Sequence, residues 1–316
     1  MEEINNIIYK GNSLFKINSK YILKQIFDNI KQNKLLDIIR YNKKLKRKLN
    51  KKKDDYITEY SKIVIEIIPI ENSYVHFINI PDKYKPYFHI YFNDDYIKEI
   101  KRDYFNESDK VSKIKIIIDY KVKSLFKLFK YCYNIRIINF TKFNINNITN
   151  MSYMFCRCSS LERINFFNIN TDKVTNMNSL FSGCSSLKEL NLSNFNTENV
   201  KDMRFMFWGC SSLKMLDISN FNTNNLNNIR CMFSCCSSLK ELNISNFNKI
   251  KDMSHMFSLD SSIKIKCSEE LKNLIRYKYP NISFLSETVL PVKARSFSLS
   301  SAYQPYIFPP IWKKIN

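Results

Sequence analysis

From Tyr131 to Ile265, apolar and polar positions return every 26 residues. The tetrapeptide Cys-Ser-Ser-Leu ends at Leu161, Leu187, Leu213 and Leu239, and an apolar-Phe pair precedes it each time: Met154-Phe155, Leu180-Phe181, Met206-Phe207 and Met232-Phe233. Within one unit, Leu190 and Leu192 alternate with Asn191 and Ser193, a period of two that predicts a short strand with one wet face. Val200, Met203, Phe207 and Cys210 then fall at helical spacing, which predicts a short helix capped by Asn196, Thr197 or Asn199. The stretch SNFNTEN between them reads as a turn with Phe195 pointing inward. A lone strand and helix cannot hide such a stripe, so the units must bury it against one another, with strands of equal phase paired in parallel at about 4.8 Å. Degenerate copies stand at both ends, Phe129-x-x-Cys132-x-x-Ile135 before and Met256-Phe257 to Ile263 after, as capping units of a stacked array do.

The core x-V-x-x-M-x-x-M-F-x-x-C-S-S-L-x-x-L-x-L-S-x-F-x-T, clearest from Val174 to Thr223, resembles the leucine-rich repeats of the BspA type, also known from mycoplasma lipoproteins. That resemblance implies an α/β fold, a leucine-rich-repeat-like solenoid of parallel strands and short helices. A small helical and β-rich N-terminal cap precedes it. The expected organisation is a helical segment over 1–55, a β-rich cap over 56–124, repeats over 125–265, a closing helix within 266–284 and a disordered tail over 285–316.

Ahead of the array, Ile22, Ile26 and Ile30 recur every four residues behind a Ser19 cap, and Leu35 to Leu49 continue a helical pattern. This pair resembles the opening of an F-box, which would make the chain a substrate-selecting adaptor of a ubiquitin ligase; the alternative is a helical pair packed on the array. Arg40, Lys43, Lys44, Lys46, Arg47, Lys48, Lys51, Lys52 and Lys53 crowd the end of the second helix. Basic side chains suit a helix carboxyl end, so a solvated face is favoured over a phosphate-binding patch. Between Ser61 and Asp119, KIVIEIIPI, YVHFINI, YFHIYFN and KIKIIID predict strands, and KIKIIID followed by KVKSLFKLFKYC reads as the first repeat. After Ile263, Ser268 caps a helix that Pro280 ends.

The net charge of +21 sits in the flanks. Residues 151–262 hold 11 basic against 9 acidic side chains, so nucleic acid is not the partner expected for the repeats. The acidic start, MEEINN, and the lack of an apolar run of spanning length point to a cytoplasmic protein without a transmembrane segment. Of nine cysteines, Cys132, Cys158, Cys184, Cys210 and Cys236 share one phase and should form a buried ladder of free thiols. Cys156-x-Cys158 and Cys235-Cys236 lack the spacing of a metal site, and no cofactor is implied.

Three glycines leave no room for a phosphate cradle, and no nucleophile elbow, HExxH or His–carboxylate pair is visible. The expectation is therefore a non-enzymatic, monomeric recognition protein that binds a protein or peptide on its open sheet face. Positions that differ between units are free to serve that partner: Arg163, Phe167, Glu189, Met215, Asp217 and Glu241, with Trp208 as a possible anchor. The ladder Asn165, Asn191, Asp217 and Asn243 is read as mutual side-chain bonding along the sheet.

Overall fold

The computed structural model describes residues 61–285 apart from 71–74, 107, 120, 144–146, 227, 249, 251, 259 and 260. The F-box-like helical pair and the tail fall outside the described residues.

The described chain opens with an antiparallel sheet. In β1 (Lys62–Pro69) every second residue is buried, Ile63, Ile65 and Ile67 among them, as period-two patterning dictates. A 3₁₀ turn (Asp82–Tyr87) leads into β2 (Phe88–Phe92), and β3 (Ile114–Asp119) pairs with both β2 and β1. β4 (Ile135–Phe143) is the pivot of the molecule. One of its edges is antiparallel to β1, with Ile67 facing Ile138, and the other is parallel to β5 (Arg163–Phe166), with Ile138 facing Ile164. The cap thus covers the edge that the first strand of a parallel stack would leave open. It also corrects one reading: Ile114–Asp119 belongs to the cap, and the first repeat strand is β4, because β1 lies between β3 and β4.

From β4 onward the chain coils as a solenoid. β6 (Glu189–Leu190) pairs with β5, which completes a six-stranded sheet in the order β2-β3-β1-β4-β5-β6. β7 (Met215–Asp217), β8 (Glu241–Asn243) and β9 (Lys264–Lys266) pair in parallel as a second sheet. Between β6 and β7 the strand pairing lapses, although the coils stay joined on either side: Ser212 N–H donates to Ser185 C=O (3.1 Å) and Asn220 Nδ2 to Leu192 C=O (3.2 Å).

The short helices expected in each coil do not form. Residues 151–157 run instead as a ribbon of turns whose amides alternate in direction. The N–H groups of Met151, Tyr153, Phe155 and Arg157 donate to carbonyls of the next coil, at Asn176, Asn178, Leu180 and Ser182, over 2.7–3.0 Å. Those of Met154, Cys156 and Cys158 donate three residues back within their own coil. An α-helix would bond all of its interior amides internally and leave none for a neighbour. The ribbon keeps half of them for stacking, at the cost of left-handed backbone at Tyr153 (φ 59°) and Arg157 (φ 63°). Left-handed backbone costs a non-glycine residue about 1–2 kcal/mol, and each hydrogen bond returns about 0.5–1.5 kcal/mol. An α-helix would satisfy the same amides within one coil, so what the two strained residues secure is four bonds that tie that coil to the next. The next two coils soften the cost with Gly183 (φ 73°) and Gly209 (φ 69°) at the second left-handed position.

Inside the coil, three ladders run the length of the stack. Phe129, Phe155, Phe181, Phe207, Phe233 and Phe257 lie face to face, with ring centroids 5.5–5.7 Å apart and planes within 16°. Beside them, the thiols of Cys158, Cys184, Cys210 and Cys236 donate to the carbonyls of Phe129, Phe155, Phe181 and Phe207 over 2.9–3.2 Å. These cysteines are therefore small apolar fillers that also bond the preceding coil. Thr171, Thr197 and Thr223 form the third ladder. The Thr197 hydroxyl donates to Asn222 C=O (3.0 Å) and accepts from Asn222 N–H (2.7 Å), so it bridges coils and does not cap a helix.

The last coil is sealed by α1 (Glu269–Lys278), where the Ser268 hydroxyl accepts from Leu271 N–H at 3.4 Å. Just past the helix, the Tyr279 ring meets Phe257 edge-on, 5.4 Å away at 89°, and ends the phenylalanine stack. β10 (Ser283–Phe284) then pairs in parallel with β9.

Candidate protein-binding face

The strands present an open row. Parallel register places Arg163 beside Glu189, and Met215 beside Glu241, which in turn lies beside Lys264. The inward partners Ile164, Leu190, Leu216 and Leu242 are buried and fix the backbone beneath that row. Met215 is 53% exposed and Phe167, just past the end of β5, is 62% exposed, an apolar surface that nothing in the described chain covers. A second charged row runs alongside, in which Lys188 Nζ lies 3.2 Å from Glu162 Oε2. Acidic and basic groups thus alternate over this side around two apolar side chains.

Of the seven residues singled out from the sequence, Arg163, Glu189, Met215 and Glu241 share one row, and Phe167 stands at its edge. Asp217 is committed locally, since its Oδ1 accepts from Ser219 N–H at 3.0 Å. Asn191 and Asn243 make the same turn contact with Ser193 and Ser245, so the proposed asparagine ladder is realised only where Asn165 Nδ2 donates to Asn139 Oδ1 (2.6 Å). Trp208 is not on the strand face. It sits on the ribbon, half-buried, with the Arg157 guanidinium 5.6 Å from its ring centroid. Arg40 to Lys53 lie outside the described residues. Lys264 continues the row and escaped notice because it follows its partner Glu241 by 23 residues and not 26, which hides its phase.

The fold also makes two His–carboxylate arrangements that no local spacing reveals: His76 Nδ1 lies 3.3 Å from Asp103 Oδ1, and His89 stands between two carboxylates. His89 Nδ1 lies 3.0 Å from Glu99 Oε1, and Nε2 lies 3.5 Å from Asp119 Oδ2. Lys101, 2.8 Å away, holds the Glu99 carboxyl below its usual range. Both ring nitrogens of His89 face carboxylates, so the group ties the cap together. Among the described residues no cluster of His, Cys, Asp and Glu could hold a metal ion, and no helix is long and apolar enough to cross a membrane.

A parallel-stranded repeat solenoid with phenylalanine and cysteine ladders is the class this geometry defines. Residues 121–216 and 161–270 match, as two overlapping stretches, the family described as "Mycoplasma protein of unknown function, DUF285". No curated protein matches. A leucine-rich repeat protein from Bacteroides ovatus ATCC 8483, solved at 1.19 Å, is 19% identical over 51% of this chain and 43% of its own, with a TM-score of 0.25. The chain thus spans less than half the length of that structure.

Proposed function

We propose that the protein is a non-catalytic recognition module that binds a protein or peptide on its strand face. The observation that carries this reading is the row Arg163, Glu189, Met215 and Glu241, where strands paired in parallel within each of two sheets hold side chains that change from coil to coil. Buried neighbours keep one character in every coil, Phe155, Phe181 and Phe207 being the plainest case, because stacking leaves them no freedom. Solvent-facing positions have that freedom, and on this side they form an apolar centre in a rim of mixed charge, the composition of a protein interface.

Substituting Arg163, Phe167 and Met215 together by Ser tests the reading. Affinity purification from the native cell, quantified by mass spectrometry, should lose its specific partner with the triple variant while the urea midpoint stays within about 0.5 kcal/mol of the parent, as surface changes do. Unchanged recovery of the same partner would assign binding to another surface.

A further inference from the structure

The ribbon side of the first two coils differs in kind from the strand face. Between Asp119 and Glu162 the chain contains no acidic residue, yet this stretch places Lys123, Lys127, Lys130 and Arg157 on the ribbon. Among the described residues none of these four cations forms an ion pair. Three of them lie against aromatic rings instead. Lys127 Nζ is 4.6 Å from the centroid of Phe126, and Lys130 Nζ is 4.7 Å from Tyr131 and 5.3 Å from Tyr153. Arg157 reaches Trp208 by lying across Gly183, whose missing Cβ would stand 3.1 Å from its Cδ. Gly183 and Gly209 are in contact, so this strip of the ribbon carries no side chains of its own. Lys130 and Arg157 also act together on the Cys156 thiol, opposing the rise that burial imposes, which marks them as one patch.

Counting charge by segment split this patch, since Lys123, Lys127 and Lys130 fall in the basic flank before residue 151 and only Arg157 in the near-neutral stretch after it. Glu162, Glu189, Asp217 and Glu241 lie on the strand side, and the ribbon of the first two coils is left with basic groups between rings. Tyr131 and Tyr133 remain 48% and 45% exposed, with ring centroids 6.0 Å apart.

From this alternation we propose that the ribbon of the first two coils binds single-stranded nucleic acid. Bases stack on Tyr131, Tyr133 and Phe126, and phosphates meet Lys127, Lys130 and Arg157. Exposed rings with interleaved cations are what a splayed strand uses, because every base has a π-face and every linkage a charge. A duplex hides its base faces and would leave the tyrosines idle. A lipid surface would call for aliphatic side chains around the rings, and here polar side chains stand beside them: the Ser124 hydroxyl accepts from Phe126 N–H and the Thr149 hydroxyl donates to Lys123 C=O.

The test uses the full chain and fluorescein-labelled oligo(dT) and oligo(U) of about 20 nucleotides, followed by anisotropy between about 50 and 300 mM salt. Arg40 to Lys53 would attract any polyanion, so the decisive variants leave charge untouched. Tyr131→Asn keeps the left-handed backbone at φ 64° and removes the ring, and Tyr133→Ser does so at a position without that constraint. Each should weaken binding roughly 10-fold with no change in salt slope, since stacking on an aromatic side chain carries about that factor. Lys130→Gln with Arg157→Gln should flatten the slope of log affinity against log salt by about 1.4. In a Trp312→Phe background Trp208 is the sole tryptophan, and its emission should be quenched on saturation. Affinity indifferent to both tyrosine substitutions, with Trp208 emission unchanged, would overturn the proposal. So would capture by anionic vesicles in preference to either oligonucleotide. If Tyr131→Asn unfolds, Tyr133→Ser alone decides. The Arg163, Phe167 and Met215 variant should bind oligonucleotide normally, which separates this surface from the strand face.

Discussion

At the scale of single residues, the cysteines show how one side chain answers two demands. Cys184 and Cys210 fill space beside the phenylalanine stack and donate to the coil before them, and burial pushes their thiols well above the ordinary range. Cys236, slightly less enclosed, is pushed up to about 12. In the unfolded chain a thiol loses its proton near about 8.5. The folded state therefore holds protons that the unfolded state releases, and stability is fully present below that pH and declines as pH rises above it. The urea midpoint should be flat from pH 6.5 to 8 and fall between about pH 8.5 and 10. A chain with Cys184→Ala and Cys210→Ala should begin lower at pH 7.5 and fall less steeply; parallel curves would place the alkaline loss elsewhere. The phase of these cysteines was legible in the sequence. Their carbonyl partners were not, because a thiol that only fills space and one that also donates occupy the same position in the pattern.

Among the elements, the ribbon is where sequence reasoning and structure part. Met151, Met154, Phe155 and Cys158 are all buried, and their spacing of three, one and three is what an α-helix would show. A ribbon with left-handed residues two and six places after the first apolar one buries the same positions, so periodicity alone cannot separate the two. Gly183 and Gly209 were the available clue, since glycine inside a helical stripe is a poor helix former and a good left-handed one. Most strand positions, the parallel register and the closing helix were recoverable because each rests on a local rule: alternation, the 26-residue phase and the Ser268 cap; YVHFINI was not, since among its described residues only His76 forms a bridge, an isolated one to Tyr104. The row of Arg163, Glu189, Met215 and Glu241 follows from the same phase, whereas the pattern left Trp208 open between an interface anchor and a partly covered ring on the convex edge, and the structure puts it half-buried on the ribbon. Gly183→Ala measures the ribbon's demand directly. It should lower stability by about 1–2 kcal/mol through left-handed strain. Adding Arg157→Ala should recover only the part due to crowding at the 3.1 Å contact, as a double-mutant cycle in urea would show. Full recovery would mean that the backbone bears no strain there.

For the molecule as a whole, stability is a sum over coils and their contacts, because each coil touches only its neighbours and the caps touch only the ends. Excising residues 188–213, which joins Leu187 to Lys214 in phase, should leave a folded, shorter array with a smaller urea m-value and an unchanged circular dichroism shape. Collapse of that chain to an unfolded state would show that the central coil is indispensable. This junction is also where β6 and β7 lack strand pairing. A stack fastened along the ribbon and at both corners, yet unfastened across this one line, carries a crease. Whatever lies along the strand side meets two short panels with a pliant join between them, and the Met215 thioether stands on that fold line, placed to lean toward a curved visitor.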